Sequence, residues 1–345
     1  MSGGTIGIGV VGYGYWGPNL VRNFADIDRC RVAAVCDLDE ARLAHASRRY
    51  PGISATTDAR ALIANPAVDA VVIAAPVSAH FDLARAALEA GKHVLVEKPL
   101  TSTAEQAERL IEIAAARSRV LMVDHTFVYT GAVRKIRELV AKGELGDIYY
   151  YDSVRINLGL FQHDVDVMWD LAVHDLSIMD SVLTRRPTSV SATGLAHVPG
   201  SPANIAYLTM FFDAPMIAHV HVNWLAPVKV RQTLIGGNRR MIVYDDLDAS
   251  EKVKVYDRGI SVNPSPDSLY QMKVGYRTGD MWAPQLAVTE ALHTEAEHFL
   301  DCIERGLQPE TSGEAGLRIV RLLEAATTSM RNQGRLVEIE RGAQV

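Results

Sequence analysis

The sequence predicts an α/β fold, with an N-terminal doubly wound parallel sheet and a C-terminal α+β domain built on a large, mostly antiparallel open sheet. Through about residue 125, short Val/Ile/Leu-rich runs alternate with helical stretches, which is typical of strands buried on both faces. From about residue 146 the apolar runs lengthen and alternate, with few helices between them. Because 345 residues exceed the usual size of one core, we expect two domains, 1–125 and 126–345.

Each domain has its own series of predicted elements. In the first, strands are expected at 6–11, Arg31–Cys36, Val68–Ala75, Lys92–Val96 and Val120–Val123, with helices beginning near Trp16, near Glu40, at Ser78 and at Thr103. In the second, strands are expected at Asp147–Asn157, Thr188–Val198, Ala203–Asp213, Met216–Ala226, Val228–Gly236 and Met241–Asp245. Further helices are expected over 164–184, 285–305 and 313–332.

Charge and composition exclude several classes of protein. The net charge of −6 is spread over residues of mixed sign, without a long basic block, which argues against nucleic acid or an anionic membrane as the main partner. No apolar run approaches the roughly 20 residues of a membrane span, and the N-terminus lacks the pattern of a signal peptide. The three cysteines, Cys30, Cys36 and Cys302, have no metal-type spacing. We therefore expect a cytoplasmic protein.

A glycine motif follows the first predicted strand. Residues 6–17 read IGIGVVGYGYWG, an apolar run that ends in Gly12-x-Gly14-x-x-Gly17. In such a motif Gly12 permits the tight turn, Gly14 lets the backbone approach a pyrophosphate, and Gly17 allows helix and strand to pack closely. The phosphates then lie at the N-terminus of the following helix, where unpaired amides favour an anion. The motif and its context predict a dinucleotide-binding turn.

Asp37 ends the second predicted strand, where a carboxylate can accept both hydroxyls of the adenosine ribose. The same charge would repel a 2′-phosphate, and Leu38 offers no cation to receive one. We therefore expect NAD rather than NADP as the cofactor. The alternative role for Asp37 is to cap the helix beginning near Glu40, a position for which Asp39 is better placed.

Glu97-Lys98-Pro99 follows the strand at residues 92–96, at the edge where ligands of open α/β sheets bind. With the segment AGKHVLVEKPL at 90–100, the glycine motif and the order of elements, the chain resembles the glucose–fructose oxidoreductase, inositol dehydrogenase and MocA family. That resemblance implies a Rossmann domain followed by an antiparallel sheet, and it implies that Lys98 bonds the reacting hydroxyl beside the nicotinamide. Without it, Glu97 and Lys98 would be interpreted as a solvated ion pair.

The expected cofactor contacts come from four segments of the first domain. They are Gly12, Tyr13, Gly14, Tyr15, Trp16, Gly17, Asp37, Ala75, Pro76, His80, Glu97 and Lys98. For His80 two interpretations stay open, because the residue either lines the cofactor crevice, as the family resemblance implies, or begins a helix at the surface.

Asp170 and His174 lie within the helix predicted over 164–184. Its buried stripe is expected to consist of Val165, Met168, Ala172, Leu176, Met179 and Leu183. Asp170 and His174 are four residues apart, so their side chains are neighbours on another face. A carboxylate there would orient the imidazole and raise its basicity, as a general base requires. The resemblance implies a substrate-binding aspartate and a catalytic histidine, whereas the pair alone would be a solvated helix face.

Further polar residues are candidates for binding substrate. They are Tyr129, Arg155, Asn157, Gln162 and Arg231, in addition to Lys98, Asp170 and His174. Tyr129 follows His125 and Phe127, and aromatic packing is its alternative role. His293 and Glu297 have a metal-type i, i+4 spacing but no third ligand nearby in sequence, so no metal is predicted.

The predicted function is hydride transfer between NAD and a secondary hydroxyl. His174 takes the hydroxyl proton, Lys98 stabilises the alkoxide, and Asp170 orients substrate and histidine. The segment NLGLFQ at 157–162 resembles family branches that act on nucleotide-linked or antibiotic-pathway sugars. The alternatives are a cyclitol dehydrogenase, a ketone or imine reductase, and a non-catalytic cofactor-binding regulator. A regulator would have no need for all three of these side chains.

The strand predicted at residues 203–213 has apolar side chains on both faces. Ile205 and Tyr207 point one way, whereas Ala206, Leu208 and Met210 point the other. One face can cover the domain's own helices, but the other would be a large exposed apolar surface in a monomer. The sequence therefore predicts a homodimer or homotetramer joined through the C-terminal sheet.

Overall fold

The structure is a computed structural model that describes residues 5–159, 165–262 and 274–340. The chain folds as two compact units. The first unit comprises Met1–Tyr129 and Thr289–Arg321, and the second comprises Thr130–Val288 and Leu322–Val345. In the part of the chain that is described, no helix is both long and apolar enough to cross a membrane.

The first unit is built on a parallel six-stranded sheet. Its strands are β1 Ile6–Val11, β2 Cys30–Cys36, β3 Ser54–Thr56, β4 Ala70–Ile73, β5 His93–Glu97 and β6 Leu121–Asp124. Its helices include α1 Gly17–Ala25, α2 Glu40–Arg49, α3 Ala59–Ala64, α4 Val77–Glu89 and α5 Ala104–Arg117, followed by a 3₁₀ turn at Thr126–Tyr129. The strand order is β3-β2-β1-β4-β5-β6, so the order reverses between β1 and β4. The predicted doubly wound fold is confirmed, with its ligand edge at the carboxyl ends of these strands.

Local sequence explains where the helices of this unit begin. Asp39 caps α2 by accepting a hydrogen bond from the Ala41 N–H at 2.9 Å, as predicted. Thr103 caps α5 in the same way, through the Gln106 N–H. Helix α1 has Pro18 in its first turn, but its N-cap residue, Trp16, makes no side-chain cap. The glycine turn before α1 is therefore held by other contacts.

The second unit is built on a nine-stranded sheet with the order β16-β13-β12-β11-β7-β10-β9-β8-β17. These strands are β7 Ile148–Leu158, β8 Pro187–Leu195, β9 Ile205–Phe212, β10 Ile217–Asn223, β11 Leu225–Gly237, β12 Met241–Asp245, β13 Val253–Tyr256, β16 Met281–Trp282 and β17 Val337–Glu338. A separate hairpin pairs β14 Gly259–Val262 with β15 Val274–Arg277. Only β7 and β10 pair in parallel among the described strands of the large sheet, which confirms the mostly antiparallel prediction.

Three further helical segments belong to the sequence of this unit. Helix α6 spans Gly131–Ala141, a π-helical turn spans Met168–Ala172, and α7 continues from Val173 to Val182. Along β9 the side chains alternate as predicted, because Ala206, Leu208 and Met210 are buried whereas Tyr207 is 40% exposed. The inner face of the sheet is therefore apolar and covered, and the outer face also carries apolar side chains.

Two long helices follow at the end of the chain, α8 Ala291–Arg305 and α9 Gly313–Arg331. The sequence division at residue 125/126 assigns residues 289–321 to the second domain, but the structure includes them in the first unit. The cause is the apolar stripe of α8, whose Leu292 and Phe299 join the core formed by β1, α1 and the 3₁₀ turn. Phe299 meets Phe24 edge-on, with ring centroids 6.4 Å apart. A periodic stripe of apolar residues predicts a half-buried helix, but it does not predict in which of the two units the helix packs.

We predict that Phe299→Ala lowers the free energy of unfolding of the first unit by about 3–5 kcal/mol, because it leaves a cavity beside Phe24. Urea denaturation measures the change. Leu307→Ala is the matched control, because Leu307 lies just beyond α8 and is exposed, and its effect should stay within about 0.5 kcal/mol. A loss below about 1 kcal/mol for Phe299→Ala would contradict the assignment of α8 to this core.

Candidate active site

The glycine turn between β1 and α1 has the geometry that a bound phosphate requires. Gly12 has a φ of +97°, and a Cβ at this position would lie 2.4 Å from the Ala74 carbonyl oxygen. At Gly17 a Cβ would lie 2.1 Å from the Gly12 carbonyl oxygen, so only glycine allows this approach of helix and turn. A Cβ on Gly14 would instead meet only the Arg42 guanidinium, at 3.4 Å, among the described groups outside its own neighbourhood.

Asp37 follows β2 and is fixed by main-chain donors. Its Oδ2 accepts the Tyr13 N–H at 2.6 Å and its Oδ1 accepts the Asp39 N–H at 2.9 Å. Since a carboxylate has about four acceptor positions, two remain for further donors such as ribose hydroxyls. Its alternative role as the cap of α2 is excluded, because Asp39 makes that cap.

Arg42 is a residue that sequence reasoning missed at this position. Its Nη1 lies 3.5 Å from Asp37 Oδ2, because the first turn of α2 brings the side chain back toward the end of β2. Only Leu38 was considered as a partner for a 2′-phosphate, so Arg42 was not expected here. The signal that could have identified Arg42 is its position five residues after Asp37, across the start of α2.

The aromatic residues of the glycine turn lie in different environments. Tyr13 is buried, whereas Tyr15 is almost fully exposed. The indole Nε1 of Trp16 donates a hydrogen bond to Asp124 Oδ2, at 3.1 Å, and thereby ties the start of α1 to the end of β6. Among Tyr13, Tyr15 and Trp16, it is thus Trp16 whose side chain is held by a residue at the end of another strand.

Glu97 ends β5 and Lys98 follows it at the ligand edge of the sheet. The Glu97 Oε2 accepts the main-chain N–H of Lys98 at 3.1 Å, while its Oε1 is buried. Burial, reinforced by the Asp124 carboxylate, raises the pKa of Glu97 well above its usual range. A solvated Glu97–Lys98 ion pair is therefore excluded, since the Glu97 carboxyl lies inside the protein.

His80 lies inside α4 and is buried, which excludes a position at the start of a surface helix. Its Nδ1 is 2.9 Å from the Pro99 carbonyl oxygen, and its Nε2 is 2.9 Å from the Ala75 carbonyl oxygen. Burial lowers the pKa of this imidazole. His80 links the segment after β4, at Ala75 and Pro76, to the segment after Lys98.

In the second unit, Asp170 and His174 are carried by two different helical turns. Asp170 lies in the π-helical turn, whereas His174 lies in the first turn of α7. The predicted stripe is buried at Met168, Ala172, Leu176, Met179 and Leu183, and Val165 is half-buried. The helical stretch predicted from about 164 to 184 is present from Met168 to Val182, and its first turn is π-helical.

Two tryptophans anchor the turn that carries Asp170. The Trp224 indole donates to Asp170 Oδ2 at 3.1 Å, and the Trp169 indole donates to Thr327 Oγ1 at 3.0 Å. Trp224 is buried, and Gly159 packs so closely on its ring that a Cβ there would approach it to 2.4 Å. Sequence reasoning missed Trp224, whose role depends on a contact 54 residues away along the chain.

Arg155, predicted to bind substrate, lies in the core instead. Its Nε is 2.6 Å from Asp175 Oδ2, and both side chains are only 3% exposed. Ser153 donates a second hydrogen bond to the same carboxylate, at 2.6 Å. The guanidinium is thus committed to Asp175, because a buried charge requires a buried partner.

The other predicted substrate ligands have separate surroundings. Tyr129 is buried, its hydroxyl lies 3.0 Å from Thr311 Oγ1, and aromatic packing is therefore its role in the structure. Arg231 is half-buried and pairs with Asp246 at 3.2 Å. Asn157 is half-buried in β7. Gln162 lies outside the described residues.

Comparison with known sequences identifies the two parts of the chain. Residues 6–125 match a family described as "Oxidoreductase family, NAD-binding Rossmann fold", and residues 133–243 match the GFO/IDH/MocA C-terminal domain. The chain belongs to the GFO/IDH/MocA oxidoreductase family. The resemblance inferred from the glycine motif and Glu97-Lys98-Pro99 is thereby confirmed.

Relatives within the GFO/IDH/MocA family span nearly the whole chain. UDP-N-acetylglucosamine 3-dehydrogenase of Acidithiobacillus ferrooxidans is 29% identical over 90% of this chain and 93% of that protein. A solved structure of that enzyme from the same organism, named GnnA, has a TM-score of 0.80 with 27% identity, over 96% and 99% of the two chains. The NAD⁺-dependent scyllo-inositol 2-dehydrogenase of Bacillus subtilis is 25% identical, over 95% and 93%. GenD2 from gentamicin A biosynthesis, solved with NAD, shares the fold at a TM-score of 0.81, with 23% identity over 97% of each chain.

NAD is the cofactor of this GFO/IDH/MocA oxidoreductase, and the glycine turn fits it. The space beside Gly14 is open to a pyrophosphate, and α1 begins three residues later with its N-terminal amides. Asp37 keeps acceptor positions for the ribose hydroxyls. The described part of the chain contains no group of three or more His, Cys, Asp or Glu side chains arranged to hold a metal ion.

We predict that this oxidoreductase binds NADH about one to two decades more tightly than NADPH, because the Asp37 carboxylate opposes a 2′-phosphate. Fluorescence titration measures both dissociation constants. Asp37→Ser should weaken NADH binding more than it improves NADPH binding. Arg42→Ala should weaken NADPH binding more than NADH binding, since it removes the guanidinium that lies 3.5 Å from Asp37.

Glu112→Gln is the control, because it removes an exposed carboxylate of α5 that pairs with Arg109 and leaves both Asp37 and Arg42 intact. Equal dissociation constants for NADH and NADPH in the unmodified protein would contradict the prediction.

Proposed function

We propose that this NAD-dependent oxidoreductase oxidises a secondary hydroxyl of a nucleotide-linked or antibiotic-pathway sugar. The observation that carries the proposal is the anchored turn at Met168–Ala172, which holds Asp170 by the Trp224 indole one turn before His174. The similarity of the whole chain to a UDP-N-acetylglucosamine 3-dehydrogenase supports the substrate class. The segment at residues 157–162, which resembles branches acting on such sugars, supports it further.

In the proposed reaction His174 is the general base that removes the proton from the substrate hydroxyl. An imidazole is suited to this step because its ordinary pKa, about 6.5, lies near the working pH. Asp170 accepts a hydrogen bond from Trp224 through Oδ2, which restricts the orientation of its carboxylate. In the proposed reaction this carboxylate orients the substrate and the histidine. Lys98 supplies the cation that stabilises the developing alkoxide.

Bound at the glycine turn, NAD would supply the acceptor for the hydride of the carbinol carbon. The residues of the first unit then have two tasks, which are to hold the dinucleotide and to present Lys98. The contacts of His80 with Pro99 and Ala75 tie the residue after Lys98 to the segment that follows β4. Arg231, Asn157 and Gln162 remain proposed substrate ligands, whereas Arg155 and Tyr129 support the site from the core.

A cyclitol is the second substrate class, and the similarity to scyllo-inositol 2-dehydrogenase over 95% of the chain favours it. A cyclitol and a sugar present the same secondary carbinol to Lys98 and His174, so the proposed chemistry is unchanged. Reduction of a ketone or imine would use the same residues in reverse. We propose the cytoplasm as the site of action, where the three buried thiols stay reduced.

The proposal is tested with a panel of sugars, cyclitols and nucleotide sugars, screened for NADH formation by absorbance. With the best substrate, His174→Ala and Lys98→Ala should each lower turnover about a hundredfold or more, because each removes one proton-handling or charge-stabilising group. NADH binding should stay close to that of the unmodified protein. Turnover in the oxidative direction should rise with pH as His174 loses its proton.

Lys142→Ala is the control variant, since Lys142 is exposed at the end of α6 and pairs with Glu138 on the same helix. Near-normal turnover and an unchanged pH profile in His174→Ala would assign the base to another residue. No oxidation of any nucleotide sugar, together with oxidation of a cyclitol, would move the substrate to the second class.

We also propose that the protein assembles as a homodimer or homotetramer through the outer face of its large sheet. That face carries Tyr207, Phe211 and Ile217, each about 40% exposed on neighbouring strands. Tyr207 stacks on His221 with ring centroids 4.3 Å apart, which extends the flat surface. Soluble proteins rarely expose such a contiguous apolar face to water. In a dimer with two-fold symmetry, one contact would bury this face on both copies.

Light scattering coupled to size-exclusion chromatography should give a dimeric or tetrameric mass at micromolar concentration. Ile217→Asp should shift that mass toward the monomer, because it places a charge in the proposed contact. Val288→Asp is the control, since Val288 is fully exposed outside the sheet. A monomeric mass for the unmodified protein would contradict the proposed assembly.

A further inference from the structure

Three carboxyl side chains converge inside the first unit, behind the strand ends that carry the cofactor residues. Glu97 and Asp124 end the adjacent strands β5 and β6 and are directly paired in register. Glu295 comes from α8, and its side chain is completely inaccessible to solvent. Both glutamates lie close enough to Asp124 for its carboxylate to raise their pKa. We call this set, Glu97, Asp124 and Glu295, the carboxyl cluster.

The N–H and O–H donors around the carboxyl cluster are directed mainly at Asp124. Its Oδ2 accepts the Trp16 indole N–H at 3.1 Å, and its Oδ1 accepts the Thr126 hydroxyl in a short hydrogen bond. Glu97 Oε2 accepts the Lys98 main-chain N–H at 3.1 Å. Asp124 therefore has the surroundings of an ionised acceptor, whereas Glu97 Oε1 and both Glu295 carboxyl oxygens are buried without an N–H or O–H donor among the described residues.

Hydrogen bonds between carboxyl groups require protons. An ionised carboxylate that is buried without a donor is costly, and two ionised carboxylates have no hydrogen to share, so each glutamate beside Asp124 needs a proton. Because Asp124 already accepts from Trp16 and Thr126, the two protons belong on Glu97 and Glu295. Burial raises the pKa of both glutamates well above the usual range, and the Asp124 charge raises each further. The other titratable groups that face them are Lys98, beside Glu97, and Tyr129, beside Glu295.

We propose that Asp124 is the single anion of this cluster, that Glu97 and Glu295 are protonated donors to it, and that the cluster positions Trp16 and Lys98 for cofactor binding. Trp16 precedes α1, whose N-terminus has no side-chain cap. The hydrogen bond from Trp16 to Asp124 therefore holds the glycine turn through a residue at the end of β6. The Lys98 main chain is fixed by Glu97. One buried charge thus couples the phosphate-binding turn to the strand end that carries Lys98.

The first test measures the protons of the carboxyl cluster by infrared spectroscopy near neutral pH. The unmodified protein should show the carbonyl band of protonated carboxyl groups, and Glu97→Gln and Glu295→Gln should each remove part of it. Glu297→Gln is the matched control, since Glu297 lies on the same helix, is half-exposed and is outside the cluster. Identical carboxyl bands in the unmodified protein and both cluster variants would overturn the assignment of the protons.

The second test measures NADH binding by fluorescence titration. A glutamine replaces a protonated glutamate as a neutral donor of the same shape, so Glu295→Gln should bind NADH within about twofold of the unmodified protein, whereas Glu295→Ala should bind it more weakly. Asp124→Asn should weaken NADH binding about tenfold or more, because the charged acceptor of the Trp16 bond is lost. Trp16→Phe keeps the ring, removes the donor and should weaken binding in the same direction.

Thermal unfolding of every variant accompanies the titrations. If Asp124→Asn does not fold, the NADH affinity of Trp16→Phe alone decides whether the Trp16–Asp124 bond supports cofactor binding. Unchanged NADH affinity in Trp16→Phe, or equal weakening by Glu295→Gln and Glu295→Ala, would overturn the positioning role. Neither readout uses the sugar substrate, so the result is independent of the proposed function.

Discussion

A buried ion pair between Arg155 and Asp175 fixes the helix of the second unit that carries His174. The pair joins β7 to α7, and Ser153 holds the same carboxylate from the next inward position of the strand. Replacing such a pair by apolar side chains is often nearly neutral, but removing one partner costs about 3–5 kcal/mol. The pair therefore sets the position of α7 against β7 more than it adds to the free energy of unfolding. Because Asp175 directly follows His174, the main chain of the histidine is fixed by the neighbouring residue.

In the first unit, other polar contacts fix the main chain beside Lys98. Lys98 is flanked by Glu97, whose carboxyl is buried, and by Pro99, whose carbonyl oxygen contacts His80. Each buried polar group must have a partner, since an unmade hydrogen bond in the interior is costly. These partners leave few alternative main-chain positions beside the lysine. In both units, the candidate catalytic side chain follows or precedes a residue that is anchored in the core.

The sequence predicted those parts of the structure that depend on local spacing. The strand–turn–helix around Gly12, the cap at Asp39 and the strand before Glu97 all depend on neighbouring residues, and all are present. The predicted role of Arg155 and the assignment of residues 289–321 failed, because both depend on contacts made across many residues. An arginine in a strand carries no sign of its partner. Asp175 could be recognised as that partner only after β7 and α7 had been packed together.

The π-helical turn at Met168–Ala172 shows why spacing alone could not define the candidate catalytic pair. The buried stripe advances by four residues twice in succession, from Met168 to Ala172 and on to Leu176, and a helix of either kind can satisfy that pattern. In a π-turn the main-chain bonds run from i to i+5, so each residue turns through a smaller angle than in an α-helix. Asp170 is thereby rotated relative to an ideal helix, and the Trp224 indole meets it there. The widened turn, rather than the i, i+4 spacing, therefore sets the direction of the Asp170 carboxylate.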